Sequence, residues 1–171
     1  LVEGGTGLDY ASYAVYDAAS LARIRKRLQA AGLSYDDDIT DSRPGARDAV
    51  RVTLPTGHLV ELLLADDASA APLPEYRAGA LDIRTSHLQI RSLDIAEVVE
   101  FLQVLGFKRS SFVTKFDGSD GFYIHFMRVN DRHHQLALLT GPSGLHHVAI
   151  ELDNADFWKF CDHLAAEHIP A

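Results

Sequence analysis

Apolar positions recur along this chain with two periods, and the periods alternate. From residue 12 the sequence reads "SYAVYDAASLARIRKRLQAAGL", and from residue 86 "SHLQIRSLDIAEVVEFLQVLGF". Each passage opens on a short stretch in which apolar and polar side chains alternate, the period of a strand with one buried face. Each then changes to a stripe of helical spacing: Leu21, Ile24, Leu28 and Ala31 in the first, Ile95, Val98, Val99, Leu102 and Leu105 in the second. Asp94 with Glu97 has the spacing of a capping box, and Gly106 stands where a helix ends in a left-handed residue. Tyr13 and His87 are 74 positions apart, as are Gly32 and Gly106, so the passages read as copies of one unit. A third start, "HHVAIELDNADFWKFCDHLAAEHI", puts His147 in the place of Tyr13 and His87. Its helix carries Phe157, Phe160, Cys161 and Leu164 on the apolar side, which makes Cys161 a packed thiol.

Strand-like stretches follow each complete helix. In the first copy they fall at residues 35–40, 49–54 and 58–64, and in the second at 108–115, 122–129 and 134–139. Each unit is then βαβββ, and the fold class is α+β with tandem βαβββ modules. Ala, Pro and Asp crowd the segment between the copies, which reads as a linker. The organisation expected is a first module over 1–65, the linker over 66–82, a second module over 83–140, and the strand and helix of another over 141–171.

Strand parity sorts some of the nine histidines. In the strand from His87, Leu88 and Ile90 share one face, which belongs under the helix, and His87, Gln89 and Arg91 share the other. In the strand from His146, the set His146, Val148, Ile150 and Leu152 belongs under the helix, leaving His147, Ala149 and Glu151 on the opposite, concave face. His87 and His147 therefore hold equivalent inward positions in successive modules, an arrangement suited to holding a metal. Neutral imidazole suits Fe, Zn, Cu and Ni alike, so the residues do not choose the metal. For His133 against His134 parity is undecided, because Leu136, Ala137, Leu138 and Leu139 make both faces apolar.

Composition narrows the partners. The net charge of −8 is spread over 171 residues without a basic stripe, which argues against nucleic acid. The single cysteine excludes an internal disulfide, and no apolar run has the length of a membrane span, so a cytoplasmic protein is the expectation. The chain opens without an initiator Met and ends shortly after its last helix pattern, which points to a partial chain.

The motifs "SHLQI", "VNDRHHQLALL" and "GLHHVAIEL" resemble, in order and approximate spacing, those of the type I extradiol ring-cleavage dioxygenases of the vicinal oxygen chelate superfamily. The resemblance covers nearly the whole chain. It implies four βαβββ modules in two domains, of which this chain holds one module of the non-catalytic half, the first catalytic module, and a truncated C-terminal module. It also implies that His87 and His147 are the histidines of a 2-His-1-carboxylate triad, and that His134 is the active-site acid/base. His133 and His146 then support their neighbours, and Phe126 and Gln89 line the substrate pocket. The third ligand, a Glu, is expected beyond Ala171. Glu61 has the local look of that ligand but lies in the other domain, where Tyr13 takes the histidine slot, so it reads as a structural carboxylate.

The cofactor implied is Fe(II), with Mn(II) the lesser alternative, and the substrates are a small aromatic diol and O2. The subunits of this family commonly form homo-oligomers, and neither nucleic acid nor membrane is a partner. The reaction implied is cleavage of a catechol-type ring beside its two hydroxyls. Alternatives on the same scaffold are a glyoxalase-type or hydroxyphenylpyruvate dioxygenase-type metal enzyme, or a metal-free protein that binds small aromatics.

Overall fold

The two periods become strands and helices in the order read from the sequence. The computed structural model describes residues 7–38, 45–65 and 84–169, so the linker expected over 66–82 lies outside the described residues. The first passage forms β1 (Tyr10–Ala14) and α1 (Ala18–Ala30), followed by β2 (Ala46–Thr53) and β3 (Leu59–Ala65). The second forms β4 (Arg84–Ser92), α2 (Ile95–Leu105), β5 (Lys108–Thr114), β6 (Phe122–Arg128) and β7 (Leu136–Thr140). The third forms β8 (Gly144–Glu151) and α3 (Asn154–Ala166).

Side-chain caps set the helix starts. The Asp17 carboxylate accepts from the Ser20 amide at 2.6 Å, and that of Asp94 from the Glu97 amide at 3.0 Å. Gly106 closes α2 at φ 102°, and a Cβ there would meet the Arg27 guanidinium at 3.3 Å, so both backbone and space favour glycine.

Five strands pair in the order β5-β6-β7-β4-β8, and three in the order β1-β3-β2. In both sheets the first strand of the unit runs parallel to its last, β1 beside β3 and β4 beside β7. The stripes of α1 and α2 meet one face of these sheets. Leu21, Ile24 and Leu28 join Val98, Leu102, Val50, Leu62, Leu88, Ile90 and Leu138 in a single apolar cluster. Burying each such side chain is worth roughly 1.5–3 kcal/mol, which makes this cluster the main source of stability. Among the described residues no helix is long and apolar enough to cross a membrane.

The structure corrects four details of the sequence reading. The strand expected at residues 35–40 is reduced to one bridge, Asp36 to Arg51, with residues 39 and 40 outside the described set. Three successive aspartates, poor strand formers, occupy that stretch. Tyr13 is not on the face that corresponds to His87. It pairs with Leu62, which pairs with Val50, on the helix-covered side, and its ring meets Phe107 edge-on at 5.2 Å. Ser12, paired with Glu61, takes the opposite face. His134 lies on the loop before β7 rather than on the strand itself. Finally, Val148 and Ile150 are 49% and 40% exposed and no residue of α3 is buried, because one strand and one helix have too few partners to close a core.

Candidate functional site

The sheet formed by β5 to β8 builds a concave face by register. Reading across it, Ser111 on β5 opposes Phe126 on β6, which opposes Ala137 on β7. Ala137 opposes Gln89 on β4, and Gln89 opposes His147 on β8. Directly opposed residues share a face, so these five form one row on the side away from α2. His87 stands two residues before Gln89, on the same face and diagonal to His147, with Ala149 directly across from it.

The two imidazoles meet at the β4–β8 pairing. Nε2 of His87 is 3.1 Å from Nε2 of His147, with the rings nearly perpendicular. His134 reaches the same spot from the loop that joins β6 to β7. Its ring centre is 4.3 Å from that of His87 and 4.8 Å from that of Phe126. Gln135 closes this loop, its side chain accepting from the Val129 amide at 2.9 Å while its carbonyl accepts from the Leu88 amide at 3.0 Å. Arg132 donates to Glu151 at 2.6 Å, tying the loop to β8 as well.

The outer member of each His-His pair contacts the inner one. His133 and His134 meet Nδ1 to Nδ1 at 2.8 Å, and so do His146 and His147. His133 also lies 3.0 Å from the Ser111 hydroxyl through Nε2 and packs on Phe126. His146 is exposed.

Electrostatics favour neutral rings. Burial first, and then the charge of His147, holds His87 below the ordinary histidine range. His134 is lowered by burial and then by His87, His133 and His147; His147 is lowered by burial and then by His146. A neutral imidazole keeps a lone pair, the form that binds a metal or accepts a proton.

The His87–His147 separation fits a shared ion. Two nitrogens each about 2.1 Å from one metal stand about 3.0 Å apart at a right angle and about 3.4 Å apart at the tetrahedral angle. The observed 3.1 Å lies close to the right-angled value. A complete ligand set is absent: among the described residues no group of three His, Cys, Asp or Glu can hold a metal. Glu61 belongs to the row of the first sheet, between Ser12 on β1 and Arg51 on β2. It accepts from Ser12 and from Arg51, each at 2.8 Å, and is fully buried.

Six of the seven residues singled out from the sequence thus lie on or beside one sheet face; His146, expected under the helix, is instead exposed where the β4–β8 register shifts. Sequence reasoning missed Ser111 and Arg132. The only signal for Ser111 was strand alternation in "KRSSFV", and bulges in the β5–β6 pairing put its face beyond parity counting. A cavity of about 550 Å³ lies away from the histidines, lined by Tyr13, Ile24, Arg27 and Leu105.

Comparison with known proteins accounts for the architecture. Residues 8–67 match the family model of the catechol 2,3-dioxygenase-like N-terminal domain. A curated relative, an iron-dependent extradiol dioxygenase of Rhodococcus jostii (strain RHA1), is 24% identical over 90% of this chain and 56% of its own length. The chain therefore spans little more than half of that relative. The 2,3-dioxygenase LapB from Pseudomonas sp. KL28 superposes with a TM-score of 0.77 at 24% identity, covering 95% of this chain and 60% of that one. A catechol 2,3-dioxygenase superposes with a TM-score of 0.74 at 22% identity, over 97% of this chain and 62% of the other. Residues 84–171, which carry the β4–β8 sheet and its histidines, match the model of the glyoxalase/bleomycin resistance protein/dioxygenase superfamily; with just over half its length so matched, the chain belongs to that superfamily.

Proposed function

We propose that this chain is part of an Fe(II)-dependent extradiol dioxygenase that opens the ring of a catechol-type diol beside its hydroxyls. The observation that carries the reading is the pair of Nε2 atoms at 3.1 Å with a third imidazole beside them. His87 and His147 would hold the iron through Nε2, and the third donor is taken to be a Glu following Ala171. Bound iron would supply adjacent open positions for the diol and O2 and transfer electron density between them.

The chain's own residues then do the following. Nε2 of His134 takes a proton from a diol hydroxyl and returns it as the O–O bond breaks. Phe126 and Gln89, in the same row as His147, bound the place where the ring lies. His146 receives the Nδ1–H of His147, which keeps the Nε2 lone pair of His147 turned toward the metal. This reading includes the modular boundaries given above, a cytoplasmic location and homo-oligomeric assembly.

The test is oxygen uptake by full-length protein, loaded anaerobically with Fe(II), against a panel of catechols. A yellow ring-opened product with stoichiometric oxygen consumption is expected. Iron binding without oxygen uptake on any diol would reject the dioxygenase reading in favour of a lyase or isomerase on the same scaffold. Absence of metal binding would favour a metal-free aromatic-binding protein.

A further inference from the structure

The two His-His pairs are closed by the same Nδ1–Nδ1 contact, and among the described residues only the His133–His134 pair has a hydroxyl behind it. The Ser111 hydroxyl lies 3.0 Å from Nε2 of His133, and Ser111 belongs to the registered row of the sheet. A loop histidine is thus linked, through a second histidine, to a strand position that cannot drift with the loop.

A neutral imidazole carries one N–H, so the protons of this chain have two consistent arrangements. In the first, His134 Nδ1–H donates to His133 Nδ1, and His133 Nε2–H donates to the Ser111 oxygen. His134 Nε2 then keeps its lone pair. In the second, the Ser111 hydroxyl donates to His133, His133 donates from Nδ1 to His134, and His134 carries its hydrogen on Nε2. Mixed arrangements place two donors or two acceptors face to face and lose a hydrogen bond.

We propose that Ser111 and His133 are positioning residues that hold His134 in the first arrangement, protonated on Nδ1 with Nε2 free to accept. The inference rests on the reading of His134 as the acid/base, because only this arrangement lets Nε2 take a proton from a bound diol. Without the link, the His134 ring would keep its packing on His87 and Phe126, but no hydrogen bond among the described residues would fix its tautomer.

The test uses full-length, metal-free protein labelled with 15N in its histidines, at about pH 8, above the range in which an ordinary imidazole titrates. In the wild type the His134 resonances should be those of an Nδ1–H ring. His133→Phe and Ser111→Ala should shift His134 toward the Nε2–H form. His133→Asn, whose Oδ1 can accept where Nδ1 did, should preserve the wild-type form. A wild-type His134 protonated on Nε2 overturns the proposal, and so does an unchanged His134 spectrum in both disrupting variants.

In iron-loaded protein, His133→Phe should lower kcat about 10–100-fold with KM and iron content near wild type, and His133→Asn should restore most of the loss. An unchanged kcat in a variant whose tautomer has shifted overturns the positioning role. Should no catechol support oxygen uptake by the wild type, the functional reading fails, while the spectra still decide whether the tautomer is held.

Discussion

Glu61 offers the sharpest quantitative test of how the first sheet differs from the second. Its side chain is completely buried, and Arg51, 11% exposed, donates to it from Nε at 2.8 Å. Ser12 donates to the other carboxylate oxygen at 2.8 Å. Replacing Glu61 by leucine removes the buried carboxylate to which Arg51 and Ser12 donate, a loss of about 3–5 kcal/mol. Glu61→Gln is milder. The amide oxygen can face Arg51 while its NH2 donates to the Ser12 hydroxyl, so mainly the charge is lost, at about 1.5–3 kcal/mol. The double variant Glu61→Leu with Arg51→Met removes both charges and should return to within about 1 kcal/mol of wild type or exceed it.

Urea unfolding of the chain measures these values as shifts of the midpoint at constant slope. With a slope of about 1–3 kcal/mol per molar, Glu61→Leu should lower the midpoint by about 1–3 M. Two results would refute the reasoning. A Glu61→Leu midpoint unchanged from wild type would mean that Arg51 is satisfied without the carboxylate. A Glu61→Gln protein of normal stability that had lost bound iron would make Glu61 a ligand rather than a structural carboxylate.

Other consequences can be checked separately. His87→Ala and His147→Ala in the full-length protein should strip the iron, read by metal analysis; a fully metallated variant would sink the ligand assignment. His134→Phe should leave iron content near normal and slow turnover about 10²–10⁴-fold, while full activity would remove His134 from the reaction. His125 is 2% exposed, with neither ring nitrogen hydrogen-bonded among the described residues, so His125→Leu should stabilise the chain by about 1 kcal/mol. Burial, and then the Arg109 charge, lowers the pKa of His125. The unfolded chain then binds more protons below about pH 6.5, and stability falls as pH drops from there toward the lower folded value. His125→Leu should lose that part of the acid sensitivity, seen as a shallower fall of the urea midpoint between about pH 7 and 5; a parallel pH profile would show that the folded ring titrates normally.

The elements with the strongest period were legible in the sequence, and the reasons are local. The α2 stripe, its Asp94 cap and its Gly106 end all act within a dozen residues, and the structure reproduces each. Parity placed His87 and His147 on one face because their strands have a clear apolar side, and these two rings meet. Parity failed for His134 for a physical reason. β7 is a central strand, with Leu136, Ala137, Leu138 and Leu139 all buried, so alternation carries no information there. His134 precedes that strand, and its placement depends on contacts of the loop with Gln135 and Arg132, which no periodicity encodes. The equivalence of Tyr13 with His87 failed by a single residue. The glycine offset of 74 is right for the helix ends, but a one-residue slip in a strand exchanges its faces.

That slip changes how the two units compare. On the face of β1 that corresponds to His87 stands Ser12, not Tyr13, and the row Ser12–Glu61–Arg51 crosses the first sheet as Gln89–Ala137–Phe126 crosses the second, where β4 also pairs with β8. The first face thus holds a carboxylate already neutralised by a guanidinium and a hydroxyl, whereas the second holds imidazoles lowered by burial and each other. A buried carboxylate paired in this way has its charge and its lone pairs engaged and offers little to a cation. Neutral imidazoles whose Nε2 atoms converge offer lone pairs and, once a cation binds, need no further counter-charge of their own. The first sheet therefore closes an ion pair between the last two strands of its unit, Arg51 on β2 with Glu61 on β3, whereas the second leaves an open donor pair where β4 meets the first strand of the following unit.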